Sequence, residues 1–194
     1  MIRVAKETDS VALAEIYGWY VQNTAVSFEY EAPTAREFAR RIGEILQTHP
    51  FLVYEENGTL LGYAYAHPLI QRKACDWAVE VSIYIRRDAR GRGIGRALYE
   101  GLEKALLLQN ICTLEACVAS ADRQDQHLTD SSVRFHNRMG FEVVGKMTDC
   151  GYKFGKWYHL LWMEKHIMRR EANIDEMRPF PQICSALAEM YGIV

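Results

Sequence analysis

No apolar run in this sequence approaches the roughly 18 residues needed to cross a bilayer. The first residues, Met1-Ile2-Arg3-Val4-Ala5-Lys6-Glu7, also lack the apolar core of a signal peptide. A soluble, cytoplasmic protein is therefore expected, with no membrane partner. Cysteine is sparse. The five present (Cys75, Cys112, Cys117, Cys150, Cys184) form an odd set without a C-x-x-C pair, which fits neither a disulfide framework nor a zinc site. Cys112 and Cys117 fall five apart on an expected strand and so face opposite sides. No metal is expected. An excess of one charge is missing too: 23 Lys and Arg against 25 Asp and Glu leave a net charge of −2. That balance excludes the basic field by which a domain announces a nucleic acid. Internal repeats and low-complexity segments are absent.

What is present is one domain's worth of ordinary globular sequence, 194 residues with 49% hydrophobic. Ile2 to Ala5 can form a short strand, after which Asp9 is placed to cap a helix carrying Leu13, Ile16, Tyr17 and Tyr20 on one face. Residues 23–33 break the pattern and read as a loop. Thr34-Ala35-Arg36-Glu37 is a capping box, with Phe38, Ile42, Ile45 and Leu46 following on one face. Phe51 to Glu56 and Thr59 to His67 flank Asn57-Gly58, a strong hairpin signal. Trp77 to Arg86 reads as a largely buried strand leading through a glycine-rich turn into a helix with Ile94, Leu98, Leu102 and Leu106. Ile111 to Val118 is the next strand, and Ser131 to Met139 a short helix stopped by Gly140. Phe141 to Met147 and Tyr158 to Lys165 are two further strands, linked through residues 150–155. The tail from Met168 carries Arg169, Arg170 and Glu171, two prolines and a short helix at about Gln182 to Tyr191. These elements predict an α+β fold: helices flanking one mixed, mostly antiparallel sheet. The expected division is a domain over residues 1–167 and an extension over 168–194, packed on that domain or on a partner subunit.

The most informative stretch is Arg90-Gly91-Arg92-Gly93-Ile94-Gly95-Arg96. Glycines let consecutive backbone N–H groups converge on one anion, and the following helix adds its positive N-terminal end. Full charges come from Arg92 and Arg96. The chemistry implied is a diphosphate cradle, against the plainer alternative of a solvated basic turn. A Walker loop would need Gly-Lys-Ser/Thr, and a dinucleotide fingerprint a further glycine where Arg96 or Leu98 stands. What remains is R-x-x-G-x-G, formed by Arg90, Gly93 and Gly95.

With that motif between a strand and a helix, the sequence resembles the GCN5-related N-acetyltransferase (GNAT) superfamily. Val79-Glu80-Val81-Ser82-Ile83-Tyr84-Ile85, Ser132-Val133-Arg134-Phe135-His136 with Gly140-Phe141, and residues 151–158 make it similar to the phosphinothricin and methionine sulfone acetyltransferase group. The similarity runs from about Ile2 to Lys165. It implies the acyl-CoA N-acyltransferase fold, acetyl-CoA as cosubstrate and transfer to the primary amine of a small substrate, with a homodimer as the common assembly. By the same resemblance Ile83, Tyr84 and Ile85 bond the pantetheine arm, and Gly91, Arg92, Gly93, Ile94, Gly95 and Arg96 take the pyrophosphate, with Arg90 in the motif. Thr129 stands where the group has an asparagine that contacts the coenzyme.

The acceptor is an ammonium at neutral pH and must lose a proton before it attacks. Glu80, Ser82 and Tyr84 share one strand face, while Val79, Val81, Ile83 and Ile85 share the other. A carboxylate on a central strand is unusual unless paired or functional, and the resemblance makes Glu80 the base. The alternative is a structural carboxylate held by an Arg or Tyr. His136 is the second catalytic candidate, since the group carries histidine where related enzymes have a tyrosine acid; Tyr84 and Tyr99 are weaker candidates for that role. Arg72 and Lys73 can take an acidic group of the acceptor or form a solvated pair. Phe28 and Trp77 can wall its pocket or serve the core. The competing functions are acetylation of a protein N-terminus or polyamine, and a CoA-binding regulatory module without turnover.

Overall fold

Two hairpins and the helices between them set the architecture of the computed structural model, which describes residues 1–169 and 173–194; Arg170 and Glu171 of the tail lie outside the described residues. Its strands are β1 (Ile2–Val4), β2 (Phe51–Glu56), β3 (Thr59–Pro68), β4 (Ala78–Ile85), β5 (Thr113–Ser120), β6 (Glu142–Lys153) and β7 (Lys156–His166). The helices are α1 (Ser10–Asn23), α2 (Ala35–Leu46), α3 (Ile94–Leu108), α4 (Ser131–Arg138) and α5 (Cys184–Tyr191). The sheet runs β1-β2-β3-β4-β5-β7-β6. Every neighbouring pair is antiparallel except β4 with β5, where α3 provides the crossover that parallel strands require.

Strand alternation sorts the core into two layers. Leu52, Val79, Val81, Leu114, Ala116 and Met163 face α3 and its Leu98, Leu102 and Leu106. Phe51, Val53 and Tyr63 face α1 and α2, meeting Leu13, Ile16, Phe38 and Ile42. The fourfold spacing on α3 is therefore a core stripe, and truncating one of its fully buried leucines to alanine costs about 2–5 kcal/mol. The tail lies on the α3 side: Phe180, Ile183, Leu187 and Ile193 join that core, and the Val4 N–H donates to the Val194 carbonyl at 2.9 Å.

Several local expectations need correction. Asp9 makes no side-chain cap to α1. A single 3-10 turn at Glu7–Asp9 precedes the helix, so the Asp9 carboxylate faces backwards and accepts from Arg3 (2.8 and 2.9 Å) and the Lys6 N–H (2.8 Å). Thr34 does cap α2, accepting from the Glu37 N–H at 3.2 Å, but the Glu37 carboxylate turns to Arg41 at 2.7 Å rather than closing the box. Residues 150–153 are strand rather than link. β6 continues to Lys153 through two register shifts, and Phe154 and Gly155, at φ 51° and 75°, form the hairpin turn. Cys112 lies just before β5, buried, while Cys117 is on it.

Candidate active site

The site begins where β4 and β5 part. Their pairing covers Ala78 to Glu80 against Thr113 to Glu115, and Glu80 stands opposite Glu115 at the last rung. The Arg86 N–H donates to Leu61 of β3 at 2.8 Å. Alternation therefore commits the backbone of Tyr84 to β3 and turns the polar groups of Ile83 and Ile85 toward the gap. Those of Ile85 are already met: the Tyr20 hydroxyl donates to its carbonyl at 2.7 Å and accepts from its N–H at 3.3 Å. Ile83 is thus the residue whose backbone edge faces the opening. Tyr84 lines a small cavity in the gap, and its ring packs edge-on against Tyr17 and Tyr20 at 4.9 and 5.2 Å.

The gap widens into a cleft of about 560 Å³, lined by the predicted Ile83, Ile85, Arg90, Gly91, Gly93 and Ile94. Gly95, Arg96 and Thr129 also reach it. Gly91 and Gly93 sit at φ 75° and 80°, the left-handed region in which a side chain is strained, and Gly93 is the N-cap of α3. The first-turn N–H groups of α3 lack intrahelical acceptors by construction and present a positive end at the cleft. The Arg90 guanidinium lies 5.1 Å from the Trp19 ring and 4.9 Å from that of Tyr20, so it is held flat against the wall. Arg92 does not line the cleft; its guanidinium pairs with Glu56 at 2.7 Å. The Thr129 hydroxyl is engaged with Ser131 at 2.9 Å. Trp19, Tyr20 and Phe135 are wall residues that sequence reasoning missed. Tyr20 carries only a core-helix signal, and its bond to Ile85, 65 positions away, leaves no local trace.

Glu80 is three-quarters covered, with its Oε2 3.8 Å from Nε2 of His67. His136 is 4% exposed on α4 and shares a small cavity with Ser82, Ile83 and Cys117 in the gap. Its Nδ1 lies 2.8 Å from the Ser132 carbonyl and its Nε2 2.9 Å from the Tyr99 hydroxyl. A carbonyl only accepts, so Nδ1 carries the proton and Nε2 receives the Tyr99 O–H. Burial lowers the pKa of His136 against a smaller opposing effect of the Ser132 bond, which keeps the ring neutral at pH 7. Both nitrogens are engaged, so the expected proton donor is a locked pair with Tyr99. The Cys117 thiol, pushed up to about 12 by burial and the nearby Glu80 charge, stays protonated and is a poor nucleophile.

The four predicted acceptor contacts are not brought together. Phe28 packs on the β6–β7 hairpin, where a Cβ at Gly151 would overlap its ring. Arg72 is exposed before β4, and Lys73 beside it pairs with Asp76 at 2.9 Å. The Trp77 indole donates to the Asp175 carbonyl at 2.8 Å and so is committed to the tail. Among the described residues there is no group of three or more His, Cys, Asp or Glu placed to hold a metal, and no helix long and apolar enough to cross a membrane.

A splayed parallel pair with a glycine-rich helix start beneath it defines an acyl-CoA-type transferase site, and comparison with known proteins gives the family. The acetyltransferase (GNAT) domain family matches residues 2–162, and the chain belongs to that family. It is 31% identical to phosphinothricin N-acetyltransferase of Streptomyces viridochromogenes, over 94% of this chain and 95% of that one. Identity to the L-methionine sulfoximine/L-methionine sulfone acetyltransferase of Salmonella typhimurium is 32%, over 84% and 92% of the two chains. Among solved structures, a GNAT phosphinothricin acetyltransferase from Sinorhizobium meliloti in complex with AcCoA superposes with a TM-score of 0.79 at 28% identity, covering 93% of this chain and 97% of that one.

Proposed function

We propose that this acetyltransferase moves the acetyl group of acetyl-CoA onto the primary amine of a small amino acid or analogue of the phosphinothricin, methionine sulfone or methionine sulfoximine type. The observation that carries the proposal is the cleft that runs from the Gly91–Gly93 turn to the Ile83 edge, with Glu80 on the last rung before β4 and β5 part. The amides of residues 91–96, with Arg90 and Arg96, hold the pyrophosphate. The Ile83 N–H polarises the thioester carbonyl and stabilises the oxyanion that forms when the amine attacks. Glu80 takes the proton the ammonium must lose, and the Cys117 pKa favours direct transfer over an acyl-cysteine intermediate. His136 with Tyr99 positions α4 against the gap. Phe28, Arg72, Lys73 and Trp77 remain the proposed acceptor contacts, with Lys73 also paired to Asp76 and the Trp77 N–H to the Asp175 carbonyl.

Residues 1–167 are read as the catalytic domain and 168–194 as an extension packed on it, in a cytoplasmic homodimer. Two measurements test the function. Calorimetry should detect acetyl-CoA binding that Gly93→Val weakens. With methionine sulfone as acceptor, Glu80→Gln should lose about 10²–10⁴-fold in kcat while keeping its acetyl-CoA affinity. No binding of CoA at millimolar concentration refutes the acetyltransferase reading, and full turnover by Glu80→Gln removes the base assignment.

A further inference from the structure

Every turnover by the proposed mechanism leaves a proton on Glu80, and a carboxylate three-quarters covered needs a route by which to lose it. We infer that His67 is that route, a proton-transfer residue linking Glu80 to solvent; the inference rests on Glu80 being the base. His67 on β3 is the register partner of Glu80 on β4, so the two side chains rise from the same face of adjacent strands. The Nε2 to Oε2 distance is 3.8 Å, with side chains 36% and 24% exposed, so exposure increases outward from the carboxylate to the imidazole.

The tautomer is set by the backbone. Nδ1 of His67 lies 3.1 Å from the Pro68 carbonyl, which can only accept, so Nδ1 bears the hydrogen and the neutral ring turns the Nε2 lone pair toward Glu80. The Tyr65 ring, 6.1 Å away and tilted 32°, flanks the imidazole on its own strand. From α2, Arg41 and Glu44 share with His67 a cavity of about 210 Å³, large enough for water beside the ring. His49 feels the His67 charge from the end of α2. At 3.8 Å the pair is one side-chain adjustment, or one bridging water, from a hydrogen bond.

The steps balance without a co-reactant. The ammonium N–H bond breaks as an O–H bond forms on Glu80. That O–H then breaks as Nε2–H forms, and the resulting imidazolium passes the Nε2 proton to water. Imidazole is the side chain suited to both halves of such a relay near neutral pH.

The test has one arm that needs no turnover. ¹⁵N NMR of the full chain should show neutral His67 protonated at Nδ1 and bare at Nε2; the opposite tautomer overturns the relay. In the kinetic arm, His67→Gln is assayed with saturating acetyl-CoA and methionine sulfone in dilute buffer. Turnover should fall about tenfold or more, with the KM for acetyl-CoA unchanged, and added imidazole should restore it. A fall that imidazole does not restore marks a structural role and overturns the proposal, as does unchanged turnover. If Glu80→Gln is impaired while His67→Gln is not, the relay alone fails. If Glu80→Gln is fully active, the base assignment fails and takes the relay with it.

Discussion

Lys153→Met should cost the fold about 3–5 kcal/mol, although the side chain touches neither of the two proposed catalytic groups. Lys153 ends β6 with its side chain 4% exposed, and its ammonium donates to the carbonyls of Val21 (2.7 Å), Ser27 (2.7 Å) and Thr24 (3.0 Å). All three of its hydrogens are used, on the last turn of α1 and the loop that follows. Methionine fills the space of the stem and donates nothing. Hydrogen bonds involving a charged group contribute about 1.5–3 kcal/mol each. Their plain sum overstates the loss, because the mutant no longer buries an ammonium whose pKa burial already lowers. Each of the three carbonyls left without a donor costs about 1–3 kcal/mol, so the net loss comes to about 3–5 kcal/mol, a third or more of an ordinary domain's stability. Urea denaturation at pH 7 should show the midpoint falling at unchanged m. Acetyl-CoA affinity should fall as well, since Thr24 and Val26 of the released loop line the cleft. A loss below about 1 kcal/mol would show that the three carbonyls find water as readily as Lys153, and the reasoning would be wrong.

Acidification gives a second test. His49 is 2% exposed, and burial, aided by the His67 charge, lowers its pKa from 6.5 to about 4. The unfolded chain binds the proton first, so this contribution is complete above pH 6.5 and is lost as pH falls to about 4; a gap of about 2.5 units corresponds to about 3 kcal/mol. His49→Gln should flatten the decline in unfolding free energy, read from urea denaturation between pH 7.5 and 4.5, by most of that amount, and an equal slope in both proteins refutes it. Assembly is the third. The edge strand β6 exposes Val143, Val144 and Met147 and the start of β7 exposes Trp157, between 48% and 59%, while the described part of the tail packs elsewhere. Light scattering at micromolar concentration should give twice 22.4 kDa, and a stable particle of 22.4 kDa refutes the dimer.

What the sequence reveals depends on how local the cause is. Asn57-Gly58 reads correctly because both turn residues need positive φ, and Asn and Gly accept it at little cost. The equivalent turn between β6 and β7 puts Phe154 at φ 51°, which no residue-type signal announces, and the two register shifts break the alternation that would have marked β6 as one strand. The glycine turn is legible for the same local reason as the first hairpin. On β4 the division into two faces is legible, but which backbone edge meets β3 is a register fact, fixed by the pairing of Leu61 with Arg86. Arg92 and Arg96 are alike in sequence, and only the hairpin carrying Glu56 separates their roles. Lys153 meets acceptors more than 120 positions away, beyond any periodicity.

The short pairing between β4 and β5 has a mechanical consequence. Backbone bonds knit β1 to β4 into one antiparallel block and β5, β7 and β6 into another, and within the sheet only three residue pairs join the two blocks. Within the sheet these few rungs are the weakest seam, although the shared α3 core and the Lys153 bonds to α1 and its loop also tie the two blocks, so amide protection should be lowest along this line. A pantetheine arm laid against the Ile83 edge would add rungs where the protein's own chain has none. The cleft is thus also the fault line of the sheet, and a bound cosubstrate would act for the length of its stay as a borrowed strand.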